Sequence, residues 1–415
     1  MFIDYTGAMG MKGFKFAGIH AGIKKNGLKD LGLIFCDKPA TAAALFTKNR
    51  VAAAPVILGK ETIQKGLCQA VLVNSGNANC FTGGQGLLDA RATATLVAQQ
   101  FNISEDLVMV SSTGVIGAPL PMDRFETGIP LLKEKIGLKN KTGLNEKINT
   151  SGLENFAQAI LTTDTCEKIV RETGSIDTPR GPKSFSIMGV AKGSGMIRPD
   201  MATMLAYVLT DADLTAPDLH RALLSANKRT FNRITVDGDT STNDTLLCLA
   251  SGESGACIRD DAGLKLFQDL LEKVCFKLGK MIVKDGEGAT KVIQITVRGA
   301  KTQKDAFKAA EAIAHSNLVK TAIYGEDPNW GRITAAAGRS GALVDPDKMD
   351  LYFEKVPLVL KGCWLGQKAE KKAARIMKAP EINIVLDLNL GDKTDSFLFC
   401  DFSENYVKIN ADYRS

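Results

Sequence analysis

The sequence predicts a mixed fold, α/β or α+β. Three observations point to it. Short apolar runs with the length of buried strands, such as Gln-Ala-Val-Leu-Val-Asn at 69–74, end in glycine-rich loops. Stretches with helical spacing of apolar residues follow those loops, so strand, loop and helix recur along the chain. Glycine is 39 of 415 residues but proline only 13, which suits tight turns better than a disordered linker. At roughly 150 residues per domain, the length suggests two or three domains.

The elements follow in order. The strand at 69–74 runs into the polar loop 74–79 (Asn-Ser-Gly-Asn-Ala-Asn). Residues 87–101 have helical spacing, and 107–110 read as a second buried strand before Ser111 to Gly117. Residues 137–152, rich in Lys, Asn, Thr and Gly, predict a surface loop. A short helix is expected over 153–161, running into Thr162-Thr163-Asp164-Thr165. The turn-rich stretch 171–184 reads as a hairpin connection, 185–191 as a strand, and 204–209 as an apolar strand. Thr215 is a good N-cap for a helix over 216–229. A long amphipathic helix is expected at 264–283, a strand at 290–297 and a helix at 305–315. Strands are expected around 351–360, 382–388, 396–401 and 406–410.

Composition excludes several classes. No apolar run of 18 residues exists, so no transmembrane helix is expected. The net charge of +6 is spread thinly, with only 6% aromatics, which argues against nucleic-acid binding. The nine cysteines are odd in number and show no Cys-x-x-Cys spacing, and there are only three histidines. No metal site is therefore expected. Cysteines inside apolar runs, such as Cys248 and Cys275, read as reduced core residues, which implies a reducing compartment. Residues 1–12 lack the apolar core of an export signal, so the expected location is the cytoplasm.

The strongest local oddity is 191–212. Lys192-Gly193-Ser194-Gly195 leads through Pro199-Asp200 to Ala202-Thr203 and the apolar strand. Thr203 is either an ordinary β-branched strand residue or a nucleophile. A mid-chain hydroxyl needs a base, and no histidine motif or Gly-x-Ser-x-Gly elbow supplies one. Cutting Ala202–Thr203 would supply one. The freed α-amine, with an ordinary pKa of about 7.7–8.0, can take the hydroxyl proton. Thr113-Gly114 could place a backbone N–H at an oxyanion, or form a plain turn. The runs 236–244, 285–291 and 324–332 are polar loops that suit either binding or structure. No Walker motif or strand-borne Gly-x-Gly-x-x-Gly is present, so nucleotide binding is poorly supported.

Residues 192–205, with 74–79, 112–117, 237–245, 286–291, 327–332 and 409–415 in the same order, resemble the ornithine acetyltransferase (glutamate N-acetyltransferase) family of arginine biosynthesis. The resemblance covers essentially the whole chain. It implies that family's fold, layered sheets and helices related to the β-peptidyl aminopeptidases. It implies self-cleavage at Ala202–Thr203, giving an alpha chain 1–202 and a beta chain 203–415, intertwined in one core with a smaller C-terminal domain about 300–415. Thr203 would be the nucleophile, and Thr113 and Gly114 the oxyanion pair. Lys192, Glu287, Asn410, Ser415 and one of Thr162 and Thr163 would bind substrate.

The implied reaction is ping-pong acetyl transfer from N-acetylornithine to glutamate, with no cofactor, in a heterotetramer of two alpha and two beta chains. Members that also accept acetyl-CoA as co-substrate would be bifunctional. The rival reading is an N-terminal-nucleophile amidohydrolase or aminopeptidase, in which water replaces glutamate.

Overall fold

The computed structural model describes residues 2–4, 10–136, 145–179, 181–198 and 204–411, with side chains from residue 10 onward except at 145–150. Ala202, Thr203 and Ser415 lie outside the described residues. The chain divides into two compact units. One takes Met1–Gly193, Pro199–Asn232 and Thr240–Leu278; the other takes Ser194–Arg198, Arg233–Asp239 and Gly279–Ser415.

The first unit is built on a nine-stranded mixed sheet. Its order is Phe2–Asp4, Lys168–Ile176, Lys183–Lys192, Leu205–Thr210, Thr245–Ala250, Leu31–Phe46, Leu67–Asn77, Val108–Val115, with Phe14–Ile19 added to Leu31–Phe46. The central strands are apolar on both sides, as the run Ala70-Val71-Leu72-Val73 requires. Alternate side chains enter two clusters. Val71, Val73 and Met109 join one, and Ala70, Leu72, Val108 and Val110 join the other. Helices Gly83–Phe101 and Met122–Ile136 cover the second cluster through Ala90, Ala94, Val97, Phe125 and Ile129.

The first cluster is covered by a helix where a loop was expected. Asn145–Ala159 is helical, so the loop reading of 137–152 fails over its second part; 137–144 lie outside the described residues. The cause is tertiary. Leu153, Phe156 and Ala157 are buried, and Phe156 lies over Gly32, where a Cβ would meet its ring at 2.9 Å. Packing onto a surface of small residues outweighs weak helix propensity. Two strands also run further than expected. Leu67–Asn77 and Val108–Val115 pair in parallel through Ser75–Thr113 and Gly76–Gly114, so both polar loops begin inside the ladder. The hairpin connection shortens to 177–182 because Lys168–Ile176 and Lys183–Lys192 pair along their length.

Helix Ala216–Arg229 matches its expected bounds, and the Thr215 side chain accepts from Asp218 N. Seven cysteines are buried, Cys248 and Cys275 among them, whereas Cys257 and Cys363 are exposed. No helix among the described residues is long and apolar enough to cross a membrane.

The second unit holds a seven-stranded sheet, ordered Cys363–Trp364, Val356–Leu360, Asp350–Phe353, Glu381–Asp387, Val292–Ala300, Lys393–Cys400, Ile234–Thr235. Ile293, Ile295 and Val297 pack with Ala306, Ala310 and Ile313 of helix Gln303–Ala314. The strand expected at 406–410 is instead part of the helix Glu404–Ala411.

His315 caps helix Gln303–Ala314, its ring edge-on to Phe397. Its Nε2 has no hydrogen-bond partner among the described residues. Burial pushes the imidazole down to about 4, and the charges of Arg198, Lys320 and Arg339 act the same way. The ring is therefore neutral in the fold and gains a proton on unfolding once the pH falls below 6.5. Between about 4 and 6.5 the unfolded chain binds more protons, so stability rises with pH and is lost on acidification, by up to about 3 kcal/mol from this group. Urea unfolding at pH 7 and pH 4.5 should show a smaller loss for His315→Gln than for the unchanged protein. Equal losses would remove His315 as the cause.

Candidate functional site

In the first unit, the parallel pairing of Leu67–Asn77 with Val108–Val115 sets two polar runs side by side. Asn74 Oδ1 accepts from Ser112 Oγ at 2.6 Å, and Asn74 Nδ2 donates to Asn77 O at 2.8 Å. Asn243 Nδ2 donates to Ala78 O at 2.6 Å and to Ser112 O at 2.9 Å. The buried Asn243 thus fixes the carbonyl just before Thr113, itself buried. Gly114 has φ +133°, a conformation that excludes other residues. A Cβ there would lie 2.3 Å from Gly76 C, so the two glycines allow a close backbone approach. The 113–114 peptide is therefore held rigidly, as an oxyanion donor must be.

The second group of the same unit surrounds Lys192. Its Nζ donates to Thr162 Oγ at 3.0 Å. Thr162, one of the two threonines left open above, is thus placed against Lys192. Asp164, fully buried, ties the group together. Oδ1 accepts from Lys168 Nζ at 2.8 Å and Gly193 N at 2.6 Å; Oδ2 accepts from Thr162 N at 3.0 Å, with Thr162 Oγ at 3.4 Å. Burial alone would raise the Asp164 pKa. The charges of Lys168 and Lys192 and these donors outweigh it and hold the carboxyl well below the usual range. Lys24 completes the ring, donating to Leu161 O at 2.6 Å. Burial pushes its amine down to about 8 against the pull of Asp30 and Asp164.

Asp244 is buried beside the start of strand Leu205–Thr210, and Thr245 N donates to Met204 O. Burial raises its carboxyl well above the ordinary value, only partly offset by Ser241, Lys192 and the Met204 N–H. Its Oδ2 has no hydrogen-bond partner among the described residues. Met204, whose N–H and carbonyl face Asp244 and Thr245, directly follows Thr203 in sequence.

In the second unit, the loop at Ser194–Arg198 is pinned by the Asp237 carboxylate and the Glu287 backbone N–H. Asp237 accepts from Met196 N at 2.6 Å and Ile197 N at 2.9 Å. Glu287 is buried, its N–H donates to Ser194 O, and a Cβ on Gly195 would strike its carboxylate at 2.5 Å. A larger residue there would force the Glu287 side chain to move. Asn410 Nδ2 donates to Glu287 Oε2 at 2.8 Å, and Tyr406 OH donates to Asp237 Oδ2 at 3.3 Å. Tyr406 and Asn410 are four apart on one helix face. The structure thus joins Glu287 to Asn410 and Thr162 to Lys192.

The sequence reading did not single out Lys24, Asp164, Lys168 or Tyr406. Asp164 stood in the polar run after a helix, but a lone acid there carries no spacing signal. Among the described residues, no group of three His, Cys, Asp or Glu is placed to hold a metal ion.

Comparison with known proteins follows the same path. A relative from Geobacter sulfurreducens, "Arginine biosynthesis bifunctional protein ArgJ", is 48% identical over 409 residues, 98% of this chain and 100% of that one. Among solved structures, the arginine biosynthesis bifunctional protein argJ of Bacillus halodurans is 39% identical, covers 49% of this chain and 97% of its own, and has a TM-score of 0.48. The ornithine acetyltransferase of Mycobacterium tuberculosis, complexed with ornithine, is 36% identical over 47% of this chain and 96% of its own, with a TM-score of 0.40. The model of the ArgJ family matches residues 15–415, and the chain belongs to that family.

Proposed function

We propose that the protein is a glutamate N-acetyltransferase of arginine biosynthesis, activated by its own cleavage at Ala202–Thr203. Family membership over residues 15–415 is the observation that carries the reading. The Lys192–Thr162 pair, held by the buried Asp164 carboxylate, is consistent with it. Cleavage consumes one water and leaves a carboxylate on Ala202 and an α-amine on Thr203.

In the first half-reaction, Thr203 Oγ bonds to the acetyl carbon of N-acetylornithine while its proton passes to the α-amine. Charge builds on the carbonyl oxygen, where Thr113 and the Gly114 N–H stabilise it. The C–N bond then breaks. The α-amine returns the proton to the leaving nitrogen, and ornithine departs from an acetyl-threonine ester. Glutamate reverses the sequence: its amine attacks the ester, the C–O bond breaks, and Thr203 regains its proton.

Each substrate carries an α-carboxylate and an α-nitrogen. Lys192 and Thr162 suit the first. Glu287, with Asn410 and Ser415, suits the second. Working cytoplasmically as two alpha and two beta chains, the enzyme uses no cofactor. The relatives are named bifunctional, and the second activity proposed for this chain is acetyl transfer to glutamate from acetyl-CoA.

The test is chemical. N-acetylornithine plus glutamate should give ornithine and N-acetylglutamate in equal amounts. Acetate and ornithine without N-acetylglutamate would instead establish the amidohydrolase. Thiol release from acetyl-CoA plus glutamate checks the second donor.

A further inference from the structure

We propose that Asp164 is the positioning residue of the α-carboxylate subsite: it aligns Thr162 and Lys192 as one unit and fixes the start of the Lys192–Gly195 loop. The inference rests on the functional reading above for what binds there. It goes beyond that reading in assigning the group that builds the subsite.

The geometry carries it. One carboxylate, wholly buried, takes donors from both sides of its own turn, Thr162 and Lys168, and from a distant stretch, Gly193. Lys192 Nζ donates to Thr162 Oγ, whose hydroxyl lies toward Asp164 Oδ2. Gly193 N, the next residue's backbone, binds Oδ1 at 2.6 Å. Lys192 is thus located at both ends, through its side chain by way of Thr162 and through its backbone by way of Gly193. Such donor chains strengthen one another in a dry interior. The turn is also anchored from behind, since Lys24 holds Leu161 O and the Lys24 loop is itself tied to the Asp30 carboxylate. Lys168 supplies a buried counter-charge, without which an isolated carboxylate would be too costly to bury.

A carboxamide cannot replace this carboxylate. Asparagine offers one acceptor oxygen and turns N–H groups toward the donors on its other side. Asp164→Asn removes the acceptor while keeping the shape. Because it leaves Lys168 buried without its counter-ion, Asp164→Asn/Lys168→Met is made alongside as a charge-balanced variant. Misalignment should raise KM for both N-acetylornithine and glutamate by roughly 10-fold, since both present an α-carboxylate, with kcat changed by less than about 3-fold. A purely structural role would instead lower the active fraction, hence apparent kcat, and leave KM alone.

Ornithine binding measured by calorimetry gives a readout independent of turnover, and it should weaken by the same factor. A folded variant, single or double, with both KM values and ornithine affinity within twofold of the unchanged protein would overturn the proposal. So would a KM rise for one substrate only. If the unchanged protein binds ornithine but transfers no acetyl group, the functional reading falls while the subsite is still tested.

Discussion

Thr203→Ala should yield a single uncut chain of 415 residues and no acetyl exchange. Two losses combine in one substitution. Without the hydroxyl, nothing attacks the Ala202 carbonyl, so the α-amine that would serve as base is never freed. Without the hydroxyl, no acetyl ester forms either. Removing a nucleophile from a covalent mechanism costs at least about 10⁴-fold in kcat, because the surrounding donors and binding groups recover only a small part of the rate.

Thr203→Ser separates chemistry from folding. It keeps the hydroxyl, so it should still be cut, more slowly, and should still transfer acetyl groups. A denaturing gel and an N-acetylglutamate assay read both outcomes. An uncut Thr203→Ala chain that still exchanges acetyl groups would place the nucleophile elsewhere. A Thr203→Ala chain cut at the same bond would show that cleavage is not its own work. The fold should survive the change: the neighbouring strand Leu205–Thr210 is held by its partners on both edges.

What the sequence reveals depends on how local the cause is. Helix Ala216–Arg229 was legible because its cap and its apolar spacing lie within the segment. The helix Glu404–Ala411 was not. Val407 and Ile409 flank Lys408 and imitate a strand, yet both are largely exposed. What fixes the helix is distant in sequence: Tyr406 reaches Asp237, and Asn410 reaches Glu287. The helix from Asn145 was hidden for the same reason, because its stability comes from Phe156 seated on Gly32. The motifs themselves could be recognised, since they are runs of adjacent residues. Their supports could not. Asp164 draws its donors from 162, 168 and 193, and Asn243 holds carbonyls at 78 and 112. The contact of Thr162 with Lys192 depends on the conformation of one turn, which composition does not encode.

Gly114→Ala should be strongly damaging, because strain and collision combine at one position. The residue sits at φ +133°, where a side chain costs about 1–3 kcal/mol in strain. The added Cβ would also lie 2.3 Å from Gly76 C and 2.6 Å from Asn77 N. Both are backbone atoms of the neighbouring parallel strand, so no rotamer change relieves the contact. Overpacking of this kind adds about 1–3 kcal/mol. The two terms together predict a loss of roughly 4 kcal/mol in unfolding free energy.

The effect on catalysis follows from the same movement. Pushing the strands apart shifts the 113–114 peptide away from Asn243 and Asn74, which hold it through Ser112. Its N–H then no longer meets the developing oxyanion, which costs about 10²–10³ in kcat. Gly27→Ala is the control: it has φ +74° and nothing within 4 Å of the new Cβ, so it suffers strain without collision. It should lose about 1–2 kcal/mol and keep its kcat. Urea unfolding and the initial rate of ornithine release compare the two variants. If Gly114→Ala keeps the control's kcat, the oxyanion donor is not at 113–114. If it unfolds no more easily than Gly27→Ala, the close approach to Gly76 is not what demands glycine there.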